Sequence, residues 1–203
     1  MTDVPTLPRL AFSLPGEWSQ IPLERPDESS RAIRAHVVEL AGRTDRLATA
    51  RAALRRELER AAALAREADG RTMFASVEPV PSVPLSVAFT EHWPEFDVAL
   101  APSTSSADVM DTLLRGLSGT PEGIAQYERF RSGESAVARR AELTVVPAEG
   151  DVPEYTTLSA KYWITVPGHR RVVLLAFTTP HGDFADPLSN LFAAIVASAR
   201  WTD

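Results

Sequence analysis

Three side chains that can act as bases or metal ligands lie within six residues, in the stretch "TTPHGDFADPLSN" that begins at Thr178. They are His181, Asp183 and Asp186. A histidine beside a carboxylate is an arrangement used for general base catalysis and for metal binding. The same stretch also fits a structural role, because an aspartate followed by Pro187 is a typical start of a helix. We expect the structural role.

A second cluster lies in "TEHWPEFD", residues 90–97, where carboxylates flank His92 and Trp93 around a proline. A tryptophan in an acidic loop can anchor a partner protein, because tryptophan is frequent among the residues that dominate binding energy. The alternative is that Trp93 and Phe96 pack onto the core while the carboxylates stay in solvent. The pattern favours this second interpretation.

The common catalytic and cofactor-binding motifs do not occur in the chain. There is no G-x-S-x-G, and the nearest string is "GLSG" from Gly116; H-E-x-x-H, an acidic calcium loop and a glycine-rich phosphate loop are also missing. Cysteine, and with it thiolate chemistry, is absent. We therefore expect a protein that is not an enzyme and takes no cofactor or metal. The alternative is a hydrolase-type enzyme with a site near His181 and Asp183 or near His92.

Length and composition indicate a single folded domain over residues 1–203, with 44% hydrophobic residues to build its core. The longest apolar runs, such as 172–177, are far shorter than the roughly 20 residues that cross a bilayer. The opening residues carry an acidic group and prolines where a signal peptide needs basic and apolar ones. We expect a cytoplasmic protein without a membrane span. The strong preference for arginine over lysine suggests an actinobacterial genome.

Residues 30–69 form a segment rich in Ala, Leu, Arg and Glu, with small or apolar residues at helical spacing. These residues are Ile33, Val37, Leu40, Leu47, Leu54, Leu58, Ala61 and Ala65. One straight helix of this length would span about 60 Å, whereas a compact chain of this size has a radius of gyration of about 17 Å. The segment is therefore a helical insertion that either breaks near Gly42 or projects from the body.

The same segment concentrates positive charge. Between Arg31 and Arg66 the sequence has nine arginines and four carboxylates, so this span has a net charge of +5 while the rest of the chain has a net charge of −11. The candidate interaction residues are Arg51, Arg55, Arg56, Leu47, Leu54 and Leu58. An acidic protein partner, a solvated helix face, self-association through 30–69 and weak nucleic-acid binding all fit the pattern. The net charge of −6 disfavours nucleic acid.

Alternating apolar residues predict strands in the rest of the chain. A hairpin around Pro15-Gly16, three strands between 71 and 102 confined to edges by prolines, and hairpins around Ser132-Gly133 and Pro167-Gly168 are expected. The third of the three strands is "FDVALA". Ser105 or Ser106 caps a short helix. Residues 172–177 are apolar on both faces, which predicts a central strand. The fold class is therefore α+β, an α/β/α sandwich around a mainly antiparallel sheet.

The order of these elements, and above all the closing phrase "VVLLAFTTPHGDFADPLSNLFAAIVASARW", resembles the PsbP-like fold. Small actinobacterial proteins of the LpqN type are the most similar members. The resemblance implies a family whose members mostly bind other proteins rather than catalyse reactions, including extrinsic photosystem subunits and a Ran-binding import factor. Proteins of the LpqN type begin with a lipid-anchored cysteine, which this chain lacks, so a lipoprotein role is not implied. We expect a protein interaction or assembly module, an accessory subunit of a bacterial complex or secretion pathway.

Overall fold

The structure is a computed structural model that describes residues 7–41, 48–79, 85–148, 150 and 153–202. Its strands are β1 Arg9–Ala11, β2 Glu17–Pro22, β3 Gly70–Glu78, β4 Val87–His92, β5 Glu128–Ser132, β6 Ser135–Val146, β7 Tyr155–Thr165, β8 Val172–Thr179 and β9 Arg200–Thr202. Its helices are α1 Pro26–Ala41, α2 Ala48–Glu67, α3 Ser106–Ser118, α4 Pro121–Ile124 and α5 Ala185–Ala197, and a 3-10 turn, Gly182–Phe184, precedes α5. None of the described helices combines the length and apolar character that a membrane crossing requires.

Seven strands form one antiparallel sheet in the order β2-β3-β4-β8-β7-β6-β5. The fourth position belongs to β8, which confirms the prediction that residues 172–177 are central. Its side chains alternate between two cores: Val173, Leu175 and Phe177 pack with α5, while Val172 packs with α3. Helices therefore cover both faces, and the predicted α+β sandwich is confirmed.

The α5 face of the sheet is held by stacked aromatic rings. Phe89 of β4 and Phe192 of α5 each stack on Phe177 of β8, with ring centroids 4.6 Å apart in both pairs. All three side chains are buried, and rings of this size contribute much of a core's apolar area. The predicted serine cap of α3 is also present, because the Ser105 side chain accepts a hydrogen bond from the Asp108 N–H.

The arginine-rich segment consists of two helices, since α1 ends at Ala41 and α2 begins at Ala48. Gly42, the predicted break, and Leu47 lie outside the described residues. The two helices run antiparallel. Arg66, near the end of α2, donates a hydrogen bond from Nε to the Leu23 carbonyl just before α1, at 2.8 Å. Together they cover the sheet at β2 and β3 through a cluster that includes Ile21 and Met73.

The expected hairpin around Pro15-Gly16 is wrong. β2 pairs with β3, whereas β1 pairs with β9 in a separate two-stranded sheet, Leu10 opposite Trp201. The turn residues suit a hairpin locally, but apolar side chains before the turn, Leu10 and Phe12 among them, pack on the α5 core instead.

Three smaller expectations also need correction. Residues 96–101 form no strand; Val98 and Ala101 pack under α3 instead. Strands β3 and β4 are not edge strands, because β3 lies between β2 and β4, and β4 lies between β3 and β8. Pro79 and Pro94 fall outside both strands, so neither removes a hydrogen-bond donor from the sheet. Asp186 is not the cap of α5, since the 3-10 turn feeds the helix directly and places Asp186 in its first turn.

Candidate functional site: an arginine cleft between two helices

A cleft of about 470 Å³ opens between α1 and α2. Its lining residues are Arg34, Val37 and Val38 from α1 and Arg51, Ala52, Arg55, Arg56 and Glu59 from α2. Four guanidinium groups and one carboxylate therefore surround an apolar floor. We call this feature the arginine cleft.

The antiparallel packing of the two helices explains why these side chains meet. Arg51 and Arg55 are four residues apart on α2 and so share a face of that helix. Arg34 lies one turn before Val38 on the facing helix, which brings a fourth guanidinium to the same opening. Like charges on converging helices repel one another, so the arrangement favours an anionic occupant.

Arg34 and Arg55 each make a contact within their own helix. Arg55 Nε lies 2.8 Å from Oε1 of Glu59, and Arg34 Nε donates to the Ser30 carbonyl oxygen at 3.1 Å. Helix pairs of the Arg55–Glu59 kind contribute only about 0.3–0.5 kcal/mol to stability. Arg56 is exposed and makes no hydrogen bond or ion pair within the described part of the chain. The guanidinium groups of Arg34, Arg55 and Arg56 are thus available at little cost to the fold.

The structure brings together the predicted residues Arg51, Arg55 and Arg56 and separates them from the predicted leucines. Leu54 and Leu58 are partly buried against the cluster formed by α1, β2 and β3. These two leucines, together with Ala65, therefore contact their own chain. Arg34 and Val38, which complete the cleft, were not predicted as site residues; their only sequence signal is that they lie one helical turn apart.

His92 and Trp93 lie elsewhere and have structural partners. Trp93 is 6% exposed, and its Nε1 donates to the Glu91 carboxylate at 2.6 Å while Arg71 lies 5.0 Å from the ring centroid. Burial raises the pKa of Glu91 against the opposing effects of the Trp93 hydrogen bond and the Arg71 charge. His92 is 8% exposed and donates from Nδ1 to the Ala68 carbonyl at 2.8 Å. Trp93 is thus a core residue and not a surface anchor.

His181 and His92 do not converge. Nε2 of His181 accepts a hydrogen bond from the backbone N–H of Ser86 at 3.1 Å, just before β4 begins, whereas His92 is the last residue of β4. A six-residue strand spans about 20 Å. Among the described residues, no group of three or more histidine and carboxylate side chains is placed to hold a metal ion.

A second opening, of about 320 Å³, lies between residues 96–100 and helix α3. Three large apolar side chains on its lining are exposed, and Leu100 is 89% exposed. They are Phe96, Leu100 and Leu117. Contiguous exposed apolar side chains are typical of protein contact surfaces. Phe96 was expected in the core, and neither leucine was predicted as a site residue.

No protein-family model matches the chain, and no curated protein matches it significantly. Among solved structures, the chain is similar to LpqN, described as involved in cell envelope biogenesis of Mycobacterium tuberculosis. The two share 10% identity and a TM-score of 0.44 over 100% of this chain and 87% of LpqN. So distant a likeness supports no family assignment, and membership of the PsbP-like family stays a prediction.

Proposed function

We propose that this protein is a non-enzymatic binding module whose arginine cleft takes an acidic segment of another protein. The observation that carries the proposal is the meeting of Arg34 from one helix with Arg51, Arg55 and Arg56 from the other around an apolar floor. Guanidinium groups pair with carboxylates in a planar, bidentate geometry that suits recognition of acidic side chains.

The floor of the cleft specifies the partner further. Val37, Val38 and Ala52 offer apolar contact between the guanidinium groups. An amphipathic helix with leucines on one face and glutamates beside them would satisfy both parts of this lining, in the manner of helices that bind in grooves. A nucleic-acid backbone would leave the valines unused and would face the Glu59 carboxylate.

A role as accessory subunit of a larger assembly follows from the same features. Two separate surfaces, the arginine cleft and the apolar opening beside Leu100, offer different chemistry to different partners. The two candidate histidines, His181 and His92, are each hydrogen-bonded to a backbone group of their own chain.

The test uses a labelled helical peptide with one leucine face flanked by glutamates, titrated by fluorescence anisotropy against the full chain. A variant with Arg51, Arg55 and Arg56 all changed to Glu should lose at least about tenfold in affinity, equal to 1.4 kcal/mol. The matched control changes Arg60, Arg170 and Arg200 to Glu, three exposed arginines outside the cleft. Equal loss in both variants would mean that net charge alone attracts the peptide and would overturn the proposal.

A duplex DNA of similar charge, titrated in the same way, distinguishes binding of an acidic protein segment from binding of nucleic acid. The proposal requires weaker binding of the duplex than of the peptide at the same salt concentration. Tighter binding of the duplex, with a steep dependence on salt, would assign the cleft to nucleic acid instead.

A further inference from the structure

The outer edge of strand β6 is open over part of its length. β5 pairs with β6 only from Ser135 to Arg139, opposite Glu128 at the far end, while β6 continues to Val146. On the other side, β7 pairs with β6 as far as Val146. Within the described part of the chain, residues 140–146 have no strand neighbour on the side away from β7. All five residues from Ala141 to Val145 are exposed.

The hairpin that precedes this edge fixes which backbone groups point outward. Ser132 and Ser135 pair across a two-residue loop whose first residue, Gly133, has φ +56°. The closing pair of such a hairpin exchanges both of its hydrogen bonds, so Ser135 points its N–H and C=O toward β5. Backbone groups alternate in direction along a strand. Ala141, Leu143 and Val145 therefore point theirs toward the open edge.

The open part of β6 contains neither a proline nor a bulge, two of the features by which proteins usually prevent strand pairing, although it does carry the charged side chains Arg140 and Glu142. Prolines, bulges and inward-pointing charges normally block an open edge. β2, the strand at the opposite end of the sheet, has a register shift between Glu17 and Ser19 and ends on Pro22. β6 carries no register shift against β7, and its open part is flanked by the exposed apolar side chains Leu143 and Val145, at 57% and 59% exposure.

We infer that this edge pairs with the same edge of a second copy of the chain, antiparallel and centred on Leu143, which joins two seven-stranded sheets into one. Leu143 is the midpoint of the exposed stretch and points its backbone groups outward, so a two-fold axis there makes it a hydrogen-bonded pair with its own equivalent. Ala141 then lies opposite Val145 of the second copy, and Val145 opposite its Ala141. Each small side chain meets a larger one across the axis.

The charges at this edge are compatible with self-pairing. Arg140 lies 3.1 Å from Glu142 in the same chain, so the two side chains neutralise each other. Because this pair has no net charge, two copies can approach each other at the edge without electrostatic repulsion between them. A foreign extended peptide could use the same hydrogen-bonding groups, but the neutral Arg140–Glu142 pair and the match of Ala141 with Val145 favour a second copy.

The experiment measures molar mass by light scattering for the full chain over a hundredfold range of concentration. Leu143→Lys and Leu143→Glu should each leave a folded monomer, because each places like charges directly opposite one another across the axis. An equimolar mixture of the two variants should restore the dimer. Leu100→Lys and Leu100→Glu, at an exposed leucine of the opening beside α3, form the control set and should dimerise like the unchanged chain.

Three results would overturn the inference. The unchanged chain stays monomeric at every concentration; the Leu143 variants dimerise as the unchanged chain does; or the mixture of Lys and Glu variants stays monomeric. The last result would show that Leu143 does not lie opposite its own equivalent. Far-ultraviolet circular dichroism and a melting curve for each variant establish that all of them are folded.

Discussion

Arg66 Nε lies 2.8 Å from the Leu23 carbonyl oxygen and joins the end of α2 to the chain segment that leads into α1. Nη2 of the same side chain lies 3.3 Å from the Ser29 hydroxyl, which is buried. One arginine of the basic segment therefore has a structural role. It holds together one end of the helix pair that carries Arg34, Arg51 and Arg55.

Replacing Arg66 by Ala should lower the free energy of unfolding by about 1–3 kcal/mol, because a part-buried carbonyl and a buried hydroxyl lose a charged donor. Arg60→Ala is the matched change, since Arg60 is exposed on the same helix. It should alter stability by less than about 0.5 kcal/mol. Urea unfolding followed by circular dichroism measures both. Equal effects would mean that Arg66 does not hold the helix pair together.

Two glycines give opposite expectations for the same substitution. A Cβ at Gly182 would lie 2.5 Å from Cγ2 and 2.8 Å from the carbonyl oxygen of Thr156 in β7, so Gly182→Ala should destabilise by about 1–3 kcal/mol. A Cβ at Gly116 in α3 meets no atom within 4 Å, so Gly116→Ala should stabilise by about 0.5–1 kcal/mol through helix propensity. Thermal unfolding of the two variants checks both signs, and a destabilised G116A would contradict the placement of α3.

Acidification should weaken the fold at His36. Burial lowers the pKa of this imidazole against the opposing charge of Glu39. The unfolded chain therefore takes up a proton at the usual pKa of about 6.5 while the folded chain does not. Above a pH of about 6.5, neutral His36 makes its full contribution to the free energy of unfolding. This contribution is lost as the pH falls from about 6.5 toward the lower pKa that His36 has in the folded chain.

His36→Gln removes this proton uptake, so the stability difference between the unchanged chain and the variant should shrink between pH 7.5 and pH 5. Urea unfolding at a series of pH values gives the difference directly. Parallel curves for the two proteins would contradict the burial of His36 beneath Ser19, whose hydroxyl lies 2.6 Å from the ring Nδ1.

The exposed apolar opening makes a further prediction. Leu100→Ser should change the free energy of unfolding by less than about 0.5 kcal/mol, because the side chain is almost fully in solvent. Leu113→Ala, on the buried side of the same lining, should cost about 2–5 kcal/mol. Chemical denaturation separates the two. A large loss for Leu100→Ser would mean that residues 96–100 pack more tightly than described.

Local patterns were sufficient for the elements whose neighbours are close in sequence. Strands β6, β7 and β8 follow one another in the sequence and pair with one another; local patterns identified them, and the apolar residues on both faces of β8 placed it at the centre. The strand that pairs with β1 could not be predicted from local patterns, because Leu10 pairs with Trp201 at the other end of the chain. Nothing near Pro15-Gly16 distinguishes a hairpin from two strands that separate.

The residues of the arginine cleft could likewise be predicted only in part. The run of arginines on one helix identified Arg51, Arg55 and Arg56, but Arg34 and Val38 join them only because α1 folds back on α2. Trp93 and Phe96 are equally apolar in the sequence. Trp93 is buried because Arg71 and Trp201 lie against its ring, and both come from distant parts of the chain.

Hydrogen–deuterium exchange of the full chain, with and without the leucine and glutamate peptide, tests the arginine cleft most directly. Peptide binding should slow exchange in 26–41 and 48–67, the two helices that line the cleft, and should cause no such change when Arg51, Arg55 and Arg56 are replaced by Glu. Protection confined to residues 96–117, or protection that survives the three substitutions, would contradict the assignment of the cleft as the partner-binding site.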